Sequence, residues 1–554
     1  MKHRFSFLLL ALAASLGCLA QARSPKNAIS KNLDIFTSVF KTLQTNYVDS
    51  IDVDKTMKMA IDAMLYTLDP YTNYFPAEDS EELTSISTGQ FGGIGAYIQD
   101  DRQGNTVVSL PQPGTPAFKA GLRAGDIFLT VDGDSVTGIG SDKVRAKLRG
   151  QAGIPLTVTV KRPFAKGDSI LTFNLTRTKI NIDPLPYYGM LNDSIGYLDL
   201  TTFNAMSVDA VSDAVKDLKA NHRLKGLILD LRGNGGGIMN GAIDLVGLFV
   251  NRGTEVLRTR GRDGQDETIY KSTIRPIDTT IPLAVLIDGG SASSSEITAG
   301  ALQDLDRAVI VGERSYGKGL IQSSRSLPYN GLMKVTTGKY LLPSGRLIQA
   351  IDYSRRNDDG SVARTPDSLT NVFYTRAGRP VRDGGGITPD VTVKYPDITR
   401  LTYTVVHDRW DFDYATKFAS LHDSVAPAAE FVITDEIFND FKQSIRPDEF
   451  KSDKALDEML ATVRTNLKNE GYLNDSVSAT LDNLNALLHR DLNENLDLNR
   501  AQIEKYLGSE ILRRYYSTAG ATEYSIRRDP QVIEAAAILA DPERVKSILS
   551  AQKQ

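Results

Sequence analysis

The sequence predicts a multidomain α/β protein, and three observations support this class. The chain has 554 residues, 41% hydrophobic and 24% charged, which is typical of a soluble globular protein too long for one core. Between residues 194 and 390, continuous apolar strands alternate with helical patterns, as in an α/β layer. A β-rich segment with many glycines precedes this region, and helical patterns lie at both ends of the chain.

The first 22 residues have the pattern of an export signal. Lys2 and Arg4 precede an apolar stretch over residues 5–16, and residues 20–22 (AQA) form a small-x-small cleavage pattern. The apolar stretch is short for a membrane span, and no second long apolar run follows. We therefore expect an exported, periplasmic protein. The alternative is a lipid anchor at Cys18, the only cysteine, which lacks the usual leucine three residues before it.

Residues 23–87 are predicted to form an N-terminal helical segment. Apolar residues recur at helical spacing over residues 33–43 and again over residues 57–65. Pro70 ends the second helix, because proline restrains the residue before it. A small helical hairpin of this kind packs on the rest of the chain or forms a homo-oligomer.

Residues 88–163 are predicted to form a separate β-rich domain with one short helix over residues 141–148. Residues 91–95 (FGGIG), 113–117 (PGTPA) and 120–126 resemble the carboxylate-binding loop and the middle segment of a PDZ domain. The resemblance implies that this domain binds a peptide C-terminus as an added strand. The amides around Gly93, Ile94 and Gly95 would meet the carboxylate, and Ile94, Val144 and Leu148 would line the pocket.

Residues 164–395 are predicted to form an α/β core. Strands are expected at residues 195–198, 226–231, 282–288 and 308–312, and helices at residues 208–218, 239–249 and 296–305. A strand, a glycine turn and a helix in succession bring backbone amides and side chains together at a crevice. The turn after residue 231 (RGNGGG) and the turn after residue 288 both have this layout.

Two short segments of this core carry the candidate chemistry. Residues 289–296 (GGSASSSE) place four serines at a predicted helix start, and residues 312–319 (GERSYGKG) hold Lys318 between two glycines. A helix N-terminus offers N–H groups to an oxyanion, although serine-rich helix starts are commonly only caps. No histidine lies between His222 and His407. A buried lysine can replace it as a base, because burial disfavours the ammonium form.

The second segment also approaches the phosphate-binding pattern GxxxxGK(S/T). Gly319 stands where that pattern requires a hydroxyl side chain to hold Mg²⁺. The two segments therefore favour a Ser/Lys hydrolase over a nucleotide hydrolase.

Taken together, these motifs resemble the carboxyl-terminal processing proteases, also called tail-specific proteases. The resemblance extends from residue 30 to about residue 395 and rests on residues 47–49, 68–70, 91–95, 230–237, 291–296, 301–304, 317–322, 343–346 and 386–390. It implies a crotonase-like α/β protease core with an inserted PDZ domain. It also implies an endopeptidase with no metal and no organic cofactor, acting on proteins or peptides with accessible C-termini.

The same resemblance assigns roles to individual residues of this chain. Ser293 matches the nucleophile and Lys318 the base, while Gln322, one helical-turn step after the lysine, matches the residue that orients the amine. The matching oxyanion donors are the backbone N–H groups of Gly236 (or Gly237) and Ser294. Ser295, Glu296 and Asp304 match supporting positions. Glu296 could brace the nucleophile turn, and the alternative is a solvated carboxylate at a helix start.

The chain departs from the family pattern in three places. Ser294 stands where alanine is common, residues 351–383 form a longer charged insertion, and residues 396–554 form a polar, mostly helical tail without an evident chemical constellation. Helices are expected in this tail at residues 428–441, 453–469, 477–488, 500–516 and 530–540. The tail is predicted to be a C-terminal helical domain.

Composition excludes several other classes of protein. The net charge is −4 without a basic block, which does not indicate nucleic-acid binding. Five histidines and one cysteine argue against a metal site. The remaining alternative function is a catalytically inactive scaffold that displays the PDZ-like domain to exported partners.

Overall fold

The computed structural model describes residues 25–77, 88–163, 167–264, 266–357, 359–451, 454–488 and 491–550. The chain divides into two compact units. One contains the described residues from 25 to 77 together with residues 322–336, and the other contains the described residues from 88 to 321 and from 337 to 550.

The strands, in chain order, are β1 (Asn73–Phe75), β2 (Gln90–Gly93), β3 (Ala96–Asp100), β4 (Thr106–Pro111), β5 (Ile127–Val131), β6 (Asp134–Ser135), β7 (Pro155–Arg162), β8 (Ser169–Thr176), β9 (Thr178–Asn181), β10 (Tyr187–Met190), β11 (Ile195–Asp199), β12 (Gly226–Asp230), β13 (Glu255–Arg260), β14 (Glu267–Lys271), β15 (Leu283–Ile287), β16 (Val309–Gly312), β17 (Leu320–Ser326), β18 (Leu332–Leu341), β19 (Val372–Tyr374), β20 (Pro380–Arg382) and β21 (Val391–Thr392).

The α-helices, in chain order, are α1 (Pro25–Asn46), α2 (Val53–Tyr66), α3 (Pro116–Ala120), α4 (Ser141–Leu148), α5 (Ser207–Asn221), α6 (Met239–Gly247), α7 (Ser294–Asp304), α8 (Arg400–His407), α9 (Trp410–Leu421), α10 (Asp435–Ser444), α11 (Lys454–Asn469), α12 (Asp475–Leu488), α13 (Leu492–Leu498), α14 (Arg500–Ile526), α15 (Pro530–Ala540) and α16 (Pro542–Leu549).

The smaller unit contains the two predicted N-terminal helices. Helix α2 begins after Asp52, whose side chain accepts a hydrogen bond from Lys55 N at 3.0 Å, and such a cap satisfies one of the N–H groups left free at a helix start. After the turn at Pro70, β1 pairs antiparallel with residues 332–334 of β18. This pairing joins the N-terminal segment to the returning part of the chain within the unit.

The PDZ-like domain is built on an antiparallel sheet with the strand order β3-β4-β5-β7-β8, and β6 pairs with β5. Helix α4 covers this sheet and contributes Val144 and Leu148 to its hydrophobic core. Strand β8 continues the sheet past residue 163, where the sequence placed the end of the domain. The β7–β8 hairpin pairs residue by residue from Pro155 with Thr176 to Arg162 with Ser169, so it belongs to this sheet.

The predicted α/β core is confirmed as a six-stranded sheet with the order β10-β11-β12-β15-β16-β21. The pairs from β11 to β21 are parallel, and β10 adds an antiparallel edge. Leu229 and Val285 face helices α5, α6 and α7 on one side of the sheet. Their neighbours Ile228 and Ala284 face the opposite side. Both faces are buried, which explains the continuous apolar runs in the sequence.

Helix α15, from the C-terminal part of the chain, covers this second face of the sheet. Val532, Ala535 and Ile538 pack in one cluster with Ile228 and Ala284. Residues 530–540 were predicted to form a helix of the C-terminal helical domain, and they do form a helix. The structure adds that this helix is also a layer of the α/β core, because its apolar side chains cover strands that would otherwise be exposed.

Helices α8, α9, α10, α13 and α14 share a core of their own, which includes Trp410, Phe438, Phe441 and Leu507. The helix predicted over residues 428–441 begins later, at Asp435, because the Thr434 side chain caps it by accepting from Ile437 N. None of the helices in the described part of the chain is long and apolar enough to cross a bilayer.

The charged insertion after residue 351 contains the β19–β20 hairpin and is tied to the core by buried ion pairs. Arg379 binds Asp306 and Asp390 at 2.6 Å each. These pairs place the described part of the insertion beside the C-terminal end of α7.

Candidate active site

The nucleophile turn, residues 288–293, connects β15 to α7. The side chain of Asp288 accepts hydrogen bonds from Gly290 N and from Gly233 N, both at 2.9 Å, and so ties this turn to the glycine loop, residues 231–237. Ser293 ends the turn with φ 55° and ψ −113°. A non-glycine residue at positive φ costs about 1–3 kcal/mol and commonly marks a functional position.

The four serines of this segment differ in what their hydroxyl groups contact. The hydroxyls of Ser291, Ser294 and Ser295 donate to the carbonyls of the glycine loop, at Leu231 (2.7 Å), Gly237 (3.1 Å) and Asn234 (2.8 Å), respectively. Within the described residues, the Ser293 hydroxyl donates to none of these carbonyls. Ser293 is therefore the one serine of the four whose proton is not committed to holding the loop.

Glu296 lies at the centre of the site and is fully buried. Its Oε2 accepts from Ser293 N at 2.9 Å and from Lys318 N at 2.8 Å. Its Oε1 accepts from Gly317 N at 2.7 Å and from Ser315 Oγ at 2.6 Å. Burial raises the pKa of this carboxyl, and the four hydrogen bonds act against that shift. Because it is fully buried, Glu296 is not a solvated carboxylate at a helix start. It joins the nucleophile turn to the lysine loop, residues 313–319.

Lys318 is half-buried, and its backbone is held from two directions. Besides the bond from its N–H to Glu296, its carbonyl accepts from the Tyr340 hydroxyl at 2.8 Å. The preceding Gly317 has φ 91°, and a Cβ there would lie 2.4 Å from Ala350 Cβ. Only glycine fits this position, because Gly317 combines close packing with a left-handed backbone.

The glycine loop approaches Ser293 closely. A Cβ added to Gly236, which has φ 97°, would lie 2.8 Å from Ser293 Cβ and 2.9 Å from Ser294 N. The Gly236 amide itself donates to the Asn234 side chain at 2.9 Å. The Gly236 amide is therefore already engaged within the loop. Ser294 N belongs to the first turn of α7, where an N–H group needs no helical partner.

Gln322 belongs to the smaller unit and lies on β17. Its side-chain amide donates to Thr336 Oγ1 at 3.3 Å. The step from Lys318 to Gln322 was expected to be one helical turn, but these residues lie in a loop and an extended strand. The expected helical step between Lys318 and Gln322 is wrong, because a separation of four residues alone does not distinguish a helix from a strand.

A groove of the PDZ-like domain, about 280 Å³ in volume, lies between the edge strand β3 and helix α4. Its lining includes Gly93, Ile94, Gly95 and Leu148, and Arg145 faces it from α4. Val144, which was predicted to line the pocket, is instead fully buried in the core of this domain. Strand β3 ends the order of the sheet, so its outer edge lies beside the groove.

Sequence reasoning missed the extent of the Glu296 network and did not identify Tyr340 or Asp288. One signal was available, because a Ser or Thr followed three residues later by Glu marks a capping box. Ser293 and Glu296 have this spacing. The contacts of Asp288 and Tyr340 span long sequence separations, and no local pattern predicts them. In the described part of the chain, no three His, Cys, Asp or Glu side chains converge as a metal site.

Comparison with protein families matches three regions of the chain. Residues 107–162 match the PDZ domain, and residues 194–356 match Peptidase family S41. Residues 401–539 match a third family, described as the C-terminal helical domain of a probable PDZ-protease.

Individual proteins show the same relationship. The chain is 38% identical over 345 residues to a carboxy-terminal-processing protease of Bartonella bacilliformis, covering 61% of this chain and 78% of that protein. It is 30% identical over 413 residues to a carboxy-terminal processing protease of Bacillus subtilis, covering 74% and 85%. A solved structure of a photosystem II D1 C-terminal processing protease is 29% identical, with a TM-score of 0.35, covering 65% of this chain and 92% of that one.

Proposed function

The chain belongs to the carboxy-terminal processing proteases of peptidase family S41, and we propose that it is an exported endopeptidase with a Ser293/Lys318 dyad. The neutral amine of Lys318 takes the proton from the Ser293 hydroxyl, and the oxygen attacks a peptide carbonyl. The amides of Ser294 and of Gly237 or Gly236 stabilise the oxyanion. The leaving amine takes the proton back from the lysine, and an acyl-enzyme remains. Lysine-activated water then hydrolyses this ester.

The observation that carries this proposal is the shared carboxylate oxygen of Glu296. One atom accepts both the Ser293 and the Lys318 backbone N–H groups, at 2.9 and 2.8 Å. The nucleophile and the base therefore start from adjoining backbone positions although 25 residues separate them in the sequence. The family resemblance adds Gln322 as the residue that orients the amine of Lys318.

The PDZ-like domain is proposed to select substrates by their C-termini. The backbone turn at Gly93 and Gly95 and the outer edge of β3 suit a peptide that adds as a strand and ends in a carboxylate. Ile94 and Leu148 provide the apolar contacts for its last side chain.

Export is proposed from the first 22 residues, which lie outside the described residues. Mass spectrometry of the mature protein isolated from the periplasm tests this proposal. Cleavage behind Ala22 is expected, whereas a diacylglyceryl group on Cys18 would establish the lipid-anchored alternative.

The function is tested with Ser293→Ala and Lys318→Ala variants on an unfolded casein-like substrate. Both variants should lose proteolysis while their thermal unfolding matches that of the wild type. Lys216→Ala is the control, since Lys216 is exposed on α5 and pairs with the exposed Asp213. Cleavage by either dyad variant at the wild-type rate would refute the dyad. Binding without cleavage by the wild type would favour the inactive scaffold.

A further inference from the structure

Arg232 joins the α/β core to the C-terminal helices at the entrance of the glycine loop. On the core side, its Nε donates to Asp230 Oδ1, at the end of β12, at 2.9 Å. On the other side, its Nη1 donates to Asp529 Oδ2 and to Gln531 Oε1, both at 2.9 Å. One guanidinium is thus shared between the strand that leads into the loop and the helix that covers the sheet.

The two carboxylate oxygens of Asp529 have different contacts. Oδ1 caps α15 by accepting from Gln531 N at 2.9 Å and Val532 N at 3.1 Å. Oδ2 faces Arg232 and also accepts from the Tyr395 hydroxyl. Asp529 is buried, with 6% of its surface exposed. The cap of α15 uses only Oδ1 of Asp529. The contact of Oδ2 with the buried Arg232 is not needed for that cap, so it points to a second role for Asp529.

The glycine loop has little freedom to move. Its start is held by the bond from Ser291 Oγ to Leu231 O at 2.7 Å and by the bond from Gly233 N to Asp288. Arg232 lies between these two anchors. At the other end, the space at Gly236 is already too small for a Cβ beside Ser293. A displacement of a few tenths of an ångström at Arg232 would therefore change where the oxyanion donors point.

We propose that Asp529 is a positioning residue for the peptidase reaction, through which the C-terminal helices set the glycine loop and its oxyanion donors against Ser293. The inference rests on the proposed function and assigns a role to the C-terminal helices beyond packing. Removing the carboxylate leaves the buried guanidinium with Asp230 as its only anionic partner among these contacts. Arg232, the second residue of the glycine loop, then loses one of the two carboxylates that hold it.

The test is Asp529→Asn in the full chain, because asparagine keeps an oxygen for the α15 cap and removes the negative charge. We expect kcat for peptide cleavage to fall at least about tenfold, since misplaced oxyanion donors weaken transition-state binding. KM is expected to stay within about twofold, because ground-state binding does not use these donors. Peptide binding by Ser293→Ala should likewise not change when Asp529→Asn is added.

Asp541→Asn is the matched control. Asp541 caps α16 by accepting from Glu543 N and Arg544 N, and it is the same kind of cap in the same part of the chain. Its variant should keep the kcat of the wild type. A wild-type kcat in Asp529→Asn, or a loss confined to KM or to peptide binding, would overturn the inference. If Asp529→Asn fails to fold, Tyr395→Phe decides, because it removes the hydroxyl that donates to Asp529 and accepts from Arg232 at 3.3 Å, and so weakens the same link. A reduced kcat supports the inference, and an unchanged kcat overturns it.

The outcomes also separate this inference from the proposed function. An inactive Ser293→Ala with a fully active Asp529→Asn contradicts the positioning role alone. An active Ser293→Ala contradicts the function on which the inference rests.

Discussion

At the scale of single residues, the site depends on one buried carboxylate. Glu296 accepts four hydrogen bonds from two separate segments, and each of its oxygens serves two donors. The Ser293 backbone is strained, with φ at 55°. These bonds hold it in that conformation, so the strain of the nucleophile turn and the placement of the lysine loop have the same support.

Replacing Glu296 by glutamine tests this dependence. The glutamine carbonyl can satisfy two of the four donors, while its NH₂ group faces the other two. Each buried donor left without an acceptor costs about 1–3 kcal/mol, so we expect the free energy of unfolding to fall by a few kcal/mol. Activity should fall by more than about tenfold, because both segments lose a fixed position. Chemical denaturation and peptide cleavage measure the two effects.

The control for this substitution is Glu436→Gln, in the first turn of α10, where the carboxylate is exposed. Its free energy of unfolding should change by no more than about 0.5 kcal/mol. Equal effects of the two substitutions would show that Glu296 does not have the special role assigned here.

At the scale of elements, the strands and helices of the core follow from local patterns. The apolar runs at residues 226–231 and 282–288 became β12 and β15, and the helix predicted over residues 141–148 is α4. Local patterns failed where the partner was distant. Val144 lies four residues before Leu148 on α4, at the spacing of one helix face, and Leu148 does line the groove. The packing of α4 against the sheet nevertheless buries Val144 in the core of the domain. Strand β8 was missed as part of the PDZ-like sheet because only its pairing with β7 assigns it there.

The PDZ-like domain can be removed at a point that the structure defines. Gly93 of β2 and Thr178 of β9 are direct partners in an antiparallel pair, so an Asn-Gly turn can replace residues 94–177. We expect the variant to keep cleaving unfolded casein but to lose any preference for a peptide with a free carboxylate over its C-terminal amide. Competition between the two peptides measures this preference. A preference equal to that of the wild type would contradict substrate selection by this domain.

At the scale of the whole molecule, helix α15 of the C-terminal helical domain is also part of the α/β core. The family resemblance ends near residue 395, and helical patterns alone predicted the C-terminal helical domain beyond it. The sequence does show that α15 has apolar residues, but it does not show which surface they cover. That surface is the second face of the parallel sheet, and the same helix presents Asp529 to the glycine loop.

Substitutions on the two sides of α15 test its place in the core. Ile538→Ala should lower the free energy of unfolding by about 2–5 kcal/mol, because Ile538 is fully buried against the sheet. Ile533→Ala is the matched control on the same helix, since Ile533 is 53% exposed, and it should have an effect within about 0.5 kcal/mol. Similar losses in both variants, measured by denaturant unfolding, would indicate that α15 does not pack as described.

The most direct measurement of the central claim is the location of the acyl group during turnover. Wild-type protein is quenched while it hydrolyses a slow ester substrate, and the modified peptide is identified by mass spectrometry. The acyl group should be on Ser293 and should be absent from Lys318→Ala under the same conditions. Acylation of Ser291, Ser294 or Ser295 instead, or undiminished acylation without Lys318, would contradict the account.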